Sequence, residues 1–242
     1  MIMVKRFKQL RLVKALYSGV WKSIGLLVNR SRCRKFLNSS GFKGLNIGCG
    51  HNALPGWFNT DLFTSKMVTR LDIRNSLKFP NYCLDALYSE HVIEHLTCDE
   101  CSQFLREANR MLRPGGILRL VTPDLGFFLK MVADPFNSDA EVYLNWFAGD
   151  GCNREDAAEM ALNVIIGGHG HLRVYSEGTL SAKLLDAGFV DIKRFPVGES
   201  NHPFLLGIEG HGKLPGVGDE INRLESMVLE AVRSESLNHA SN

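Results

Sequence analysis

A chain of 242 residues with 45% apolar and 22% charged residues is long enough to bury one sizeable core, which excludes a fibrous or disordered protein. The net charge of +2 joins two unlike parts: residues 1–43 carry eleven of the 28 Lys and Arg and no acid, leaving 17 bases against 26 acids, a net −9, for the rest. Six cysteines without the density of a secreted scaffold point to a reducing compartment, and no apolar run approaches the roughly 20 residues of a membrane span, so a cytoplasmic protein is expected.

In the basic stretch, Leu10, Val13, Tyr17, Val20, Trp21, Ile24, Leu27 and Val28 recur at helical spacing, while Lys8, Arg11, Lys14 and Lys22 fall mostly on the other side. This reads as a basic amphipathic arm over residues 1–42. Two roles stand open: a lid packed on the main domain, or a peripheral contact of residues 1–40 with an anionic membrane, at its inner face. Nucleic acid is not expected, because the bases come without aromatics placed as a stacking platform.

From Gly44 short apolar strands alternate with helices, the pattern of a Rossmann-like α/β three-layer sandwich with a mostly parallel seven-stranded sheet. Strands are expected at Leu45–Ile47, Phe58–Leu62, Val68–Ile73, Leu84–Tyr88, Ile117–Thr122, Phe189–Arg194 and Met227–Val232, the last within a stretch, Ile221–Val232, whose period also suits a helix. Thr97 with Glu100 makes a capping box opening a helix whose apolar stripe runs from Cys101 to Leu112 and stops at Arg113-Pro114-Gly115-Gly116. Residues 139–166 read as helix broken by Gly149 and Gly151, inside a helical insertion of about 126–175 that would cap the substrate; Ser176–Ala187 is a further helix. Cys98 and Cys101 form one CxxC, which lacks the second ligand pair of a zinc site and suits adjacent turns of a helix, so no metal is assigned.

A strand running into Gly48-Cys49-Gly50 places a tight turn where open α/β sheets hold ligands. The pair of glycines does not select the ligand. Pro55-Gly56 leaves barely one helical turn after Gly50, and Asp61 follows eleven residues after it, whereas a dinucleotide needs a helix for its pyrophosphate and an acid about twenty residues on. S-adenosylmethionine has no phosphate and needs a close backbone, a carboxylate for its ribose and a polar group at adenine. Asp61-Leu62, Asp72-Ile73 and Ser89-Glu90-His91, at the ends of successive strands, supply those groups on one edge of the sheet.

The order Leu45-Asn46-Ile47-Gly48-Cys49-Gly50, Pro55-Gly56-Trp57-Phe58-Asn59-Thr60-Asp61, Asp72-Ile73, Ser89-Glu90-His91-Val92-Ile93-Glu94-His95-Leu96 and Leu112-Arg113-Pro114-Gly115-Gly116, continued by Thr122-Pro123-Asp124 and Ala187-Gly188-Phe189, resembles the class I S-adenosylmethionine-dependent methyltransferases. Within them it is similar to a type 11-like subgroup associated with polysaccharide biosynthesis. The resemblance spans about 43–194. It implies Asn46, Gly48, Cys49 and Gly50 at the methionine part of the cofactor, Asp61-Leu62 at the ribose, Asp72-Ile73 at the adenine and Ser89-Glu90-His91 at the floor near the methyl group. Asn46 stands where the wider family has an acid, and Asn52 where it often has a third glycine.

Methyl transfer is an in-line displacement, so a hydroxyl acceptor needs alignment and a base. His91, His169 and His171 are the candidates, the last two in a glycine-rich loop with substrate contact, a structural role and metal binding all open; His95 reads as a structural hydrogen-bonder, and Asp124 either faces substrate or caps a helix. The expected activity is S-adenosylmethionine-dependent methyl transfer to a small-molecule or saccharide acceptor, a lipid-linked saccharide hydroxyl among the choices. The alternatives are a non-catalytic cofactor-binding relative and an NAD-dependent oxidoreductase.

Overall fold

The computed structural model describes residues 30–235 except 64, 66 and 76. The amphipathic pattern of residues 8–28 lies outside the described residues. Two compact units are present, Met1–Gly41 and Phe42–Asn242. In the first, residues 30–38 are helical (α1) and the Ser39 hydroxyl donates to the Phe36 carbonyl at 2.7 Å.

The second unit is built on seven strands: β1 (Gly44–Ile47), β2 (Phe58–Asp61), β3 (Thr69–Arg70), β4 (Leu84–Glu90), β5 (Leu112–Pro123), β6 (Phe189–Phe195) and β7 (Ser226–Arg233). Their order is β3-β2-β1-β4-β5-β7-β6, parallel from β3 to β5, with β7 antiparallel to both neighbours. This is the expected mostly parallel seven-stranded sheet. The central strands are buried on both faces, which is why β1 reads GLNI and β4 LDALYSE rather than as a polar and apolar alternation. The expected strand at Val68–Ile73 shrinks to two paired residues. At the sheet edge the Leu71 amide still bonds the Asp61 carbonyl at 2.8 Å, and then Asp72 and Ile73 leave the ladder to line a cavity.

The helices are α2 (Cys98–Met111), α3 (Leu125–Ala133), α4 (Ser138–Ala148), α5 (Arg154–Gly167), α6 (Glu177–Asp186) and α7 (Gly218–Glu225). The capping box is formed: the Glu100 amide donates to Thr97 Oγ1, and the Thr97 amide to the Glu100 carboxylate. Cys101, Phe104, Leu105, Ala108 and Met111 of α2 are fully buried, whereas Cys98, one turn earlier, is exposed. The broken pattern of 139–166 is α4 and α5, which share with α3 a core of Phe128, Met131, Tyr143, Leu144, Ala158 and Ala161. The ambiguous stretch 221–232 divides at Glu225 into the end of α7 and the start of β7. The open side of β5 takes β7 in seven paired positions, and that pairing overrides the helical period.

Arg119 of β5 is completely buried. Its Nε donates to Glu209 Oε1 at 2.8 Å and its Nη2 to the same oxygen; Nη1 reaches Glu230 Oε1 of β7 at 2.5 Å and the Glu199 carbonyl at 2.9 Å. The segment after β6 is thereby tied to the sheet. Arg119→Met strands two buried carboxylates and is expected to cost about 3–5 kcal/mol in a denaturant unfolding curve, most of it regained when Glu209 and Glu230 are also replaced by apolar residues.

Candidate active site

The glycine turn is held from beneath by two buried amides. Asn46 Nδ2 donates to the Asn52 carbonyl and to Asn59 Oδ1, both at 2.9 Å. Asn59 in turn accepts from the Leu54 amide and donates to the Leu54 and Trp57 carbonyls. The sequence Asn52 to Asn59 is therefore a loop closed on itself beneath the turn. Only glycine fits position 48: φ is +67°, and a Cβ would meet Val92 Cγ2 at 2.2 Å. The Gly50 amide donates to Asp61 Oδ2 at 2.9 Å and the Phe63 amide to Asp61 Oδ1 at 3.1 Å, so the acid at the end of β2 braces the turn.

Two cavities open on this edge. One, of about 380 Å³, is lined by Gly48, Asp61, Leu62, Asp72, Ile73, Arg74, His91 and His95 among others. The second, of about 420 Å³, adds Cys49, Gly50, His51, Asn52, Glu90, Gly210, His211 and Lys213 to Gly48 and His91. Of the residues expected at a cofactor, Gly48, Cys49, Gly50, Asp61, Leu62, Asp72, Ile73, Glu90 and His91 are brought together here. Asn46 and Ser89 are not: both are 1% exposed inside the sheet, and the Asn46 amide is spent on the loop. An acid there could not donate to the two oxygens that Asn46 satisfies.

The charges within the cavities are arranged by specific contacts. Arg74 grips Asp72 through Nε at 2.8 Å and Nη2 at 2.7 Å, and this hydrogen bond holds the Asp72 carboxyl below its ordinary range. The Cys49 thiol is pushed up to about 11 by burial and by the Asp61 charge, which keeps it protonated and no nucleophile. Glu90 accepts from the Gly210 amide at 2.8 Å and from the His211 amide at 3.0 Å. The Asn52 side chain reaches the Ile208 carbonyl at 2.8 Å, so residues 208–211 lie as a strap over the turn.

His91 has φ +50° and both nitrogens engaged. Nδ1 lies 3.2 Å from Glu94 Oε1, and Nε2 lies 3.2 Å from Ser226 Oγ, whose own proton goes to Asn222 Oδ1 at 2.8 Å. Burial works against its charge, but the Glu94 hydrogen bond and the charges of Glu94, Glu90 and Glu225 outweigh it and raise its pKa. Both ring nitrogens of His91 thus face partners of its own fold. His211, which sequence reasoning passed over, stacks on it with ring centroids 4.0 Å apart, and its Nε2 lies 2.8 Å from Glu225 Oε1. Glu225 Oε2 accepts from the Tyr143 hydroxyl at 3.2 Å, a group that burial holds protonated. The only local signal for His211 was a histidine between glycines, Gly210-His211-Gly212, the surroundings that drew attention to His169.

His169 and His171 line neither cavity; His171 instead faces His95, centroids 4.9 Å apart, and burial lowers its pKa. Asp124 caps α3 through the Gly126 amide at 2.8 Å and pairs with Arg194 at 2.6 Å, which decides for the cap. Asn46→Asp is expected to remove donors from two oxygens and lower stability by about 1–3 kcal/mol, read as a shift in the denaturant midpoint.

Compared with protein families, residues 45–120 match the Methyltransferase domain family. No curated protein matches the chain. Among solved structures, an S-adenosylmethionine-dependent methyltransferase from Archaeoglobus fulgidus is 16% identical with a TM-score of 0.47, covering 86% of this chain and 94% of its own. A possible histamine N-methyltransferase from Thermotoga maritima is 18% identical, TM-score 0.47, covering 89% and 94%. A third, from Mesorhizobium loti, is 18% identical with a TM-score of 0.46, covering 80% and 92%. The family match runs from the glycine turn through Asp61, Asp72 and Glu90 into β5. Residues 45–120 of the chain are thus similar to a methyltransferase domain.

Proposed function

We propose that the protein moves the methyl group of S-adenosylmethionine to a hydroxyl of a saccharide or lipid-linked saccharide, with His211 as base. The observation that carries this reading is the His211–Glu225 pair on the rim of the second cavity. A carboxylate oxygen accepts, so Nε2 carries the proton and Nδ1 keeps a lone pair. The residues that fit the cofactor are the turn at Gly48–Gly50, Asp61 for the ribose hydroxyls, and the wall of Leu62, Ile73 and Leu96 for the adenine. Bound there, the cofactor supplies the electrophilic methyl group. His211 Nδ1 would take the proton of the acceptor hydroxyl.

Glu90, Asn52, His51, His211 and Lys213 place hydrogen-bonding groups along the second cavity, between strap and turn, and these groups suit a hydroxyl-rich acceptor. The eleven bases and no acid of residues 1–43 support an acceptor held at an anionic membrane surface. Among the described residues no helix is long and apolar enough to cross a membrane.

Titration calorimetry with S-adenosylhomocysteine should give one-site binding, and none with NADH. Asp61→Ala should weaken that binding at least about tenfold; undiminished affinity would remove Asp61 from the ribose. His211→Ala is expected to keep the affinity and lose about 10²–10⁴ in kcat on a saccharide acceptor, an effect that an equal loss of cofactor binding would contradict. Full-length protein should float with anionic vesicles and a chain lacking residues 1–40 should not; equal flotation removes the membrane part of the reading.

A further inference from the structure

Glu94, His95 and His171 each offer a ligand atom, and these atoms lie within 4.8 Å of one another. The glycine-rich loop had no carboxylate beside it in sequence; the fold supplies one. The Leu172 and Arg173 amides both donate to the Glu94 carbonyl, at 2.8 and 3.1 Å, and so pin the loop end to the 3₁₀ turn Ile93–His95.

The ring nitrogens are already sorted. His95 Nδ1 lies 3.2 Å from the Gly170 carbonyl and His171 Nδ1 lies 2.6 Å from the Ile165 carbonyl. A carbonyl oxygen has no proton to give, so in both rings Nδ1 is the donor and Nε2 keeps the lone pair. This is the arrangement of metal-ligating histidines, whose second nitrogen is anchored by a backbone carbonyl. Glu94 is fully buried, and its Oε1 faces His91 Nδ1 at 3.2 Å. Its Oε2 accepts from Thr122 Oγ1 at 3.2 Å. An ionised carboxylate oxygen carries more than one lone pair, so Glu94 keeps acceptor capacity for a further ligand beside these contacts.

We propose that Glu94, His95 and His171 bind a divalent transition-metal ion of the zinc class. Two imidazoles and one carboxylate are a donor set that zinc accepts with its fourth position left open. Ligand bonds of about 2.0–2.2 Å place the donor atoms roughly 3.3 Å apart, so the cluster closes by up to about 1.5 Å on binding. His95 also lines the first cavity with Gly48, Asp72 and His91, which places the ion at its edge. Cys98 and Cys101 do not enter this cluster; Cys98 Sγ takes a hydrogen bond from Lys183 Nζ at 3.2 Å.

The binding of the ion does not depend on the acceptor assigned above, and its test reads metal rather than activity. Untagged full-length protein is equilibrated with zinc, gel-filtered and measured by elemental analysis, and S-adenosylhomocysteine binding is followed in parallel as the check on fold. One equivalent of zinc is expected in the wild type and less than about a tenth in His95→Ala and in His171→Ala, with the nucleoside affinity unchanged in His171→Ala, whose side chain lines neither cavity. Absence of stoichiometric zinc in the wild type, or its retention in either variant, overturns the proposal. Independently of any variant, the cobalt-loaded wild type should show visible d–d bands without a thiolate charge-transfer band; such a band would assign the metal to cysteine instead. Failure of S-adenosylhomocysteine to bind the wild type would count against the cofactor reading and leave the zinc result to be judged by itself.

Discussion

A guanidinium buried without water is tolerable only if carboxylates come to it, and Arg119 is such a group, fully enclosed in the middle of β5. Glu230 is its neighbour across the β5–β7 ladder and comes with the sheet. Glu209 does not: it sits in a segment with little regular structure, and its pairing with Arg119 draws that segment onto the sheet. The rest of the second cavity follows from this. With Glu209 fixed, the next two amides meet Glu90, and the His211 ring lies on His91 and against Glu225. The rim of the active site is thus positioned by a charge that touches none of the cavity.

The first cavity depends on neutral hydrogen bonds instead. Asn46 and Asn59 hold the loop that precedes β2, and the loop sets how close the backbone at Gly48–Gly50 comes to a ligand. An amide serves here where a carboxylate fails, because the partners of Asn46 are both acceptors. The motif Pro55-Gly56-Trp57-Phe58-Asn59 is then understood as the closure of that loop rather than as a set of ligand contacts. Asp61 links the two roles: its carboxylate braces Gly50 and faces the same cavity.

Histidines show how far local pattern reaches. Five enter the argument. His91 reads as a candidate base and has partners at both nitrogens; His169 and His171 read as substrate contacts, structural groups or metal ligands, and His171 faces His95; His211 carries the same glycine-flanked signature as His169 and lines the second cavity beside His91. Nothing in the spacing distinguishes these cases. The distinction comes from partners 3, 14, 75 or 135 residues away, and such contacts leave no periodic mark in the chain.

What the sequence by itself determined is the part governed by local physics. Buried parallel strands need continuous apolar runs, a capping box opens α2, and a glycine at 48 with an acid at 61 gives a tight turn braced by a carboxylate at one edge of the sheet. Tertiary structure alone decided the length of β3, the division of residues 221–232 between helix and strand, the withdrawal of Asn46 and Ser89 from the cavity, and the placing of the His211 ring against His91. Each of these turns on which group satisfies a buried donor, acceptor or charge, and that partner is supplied by the packed fold, often from more than a hundred residues away.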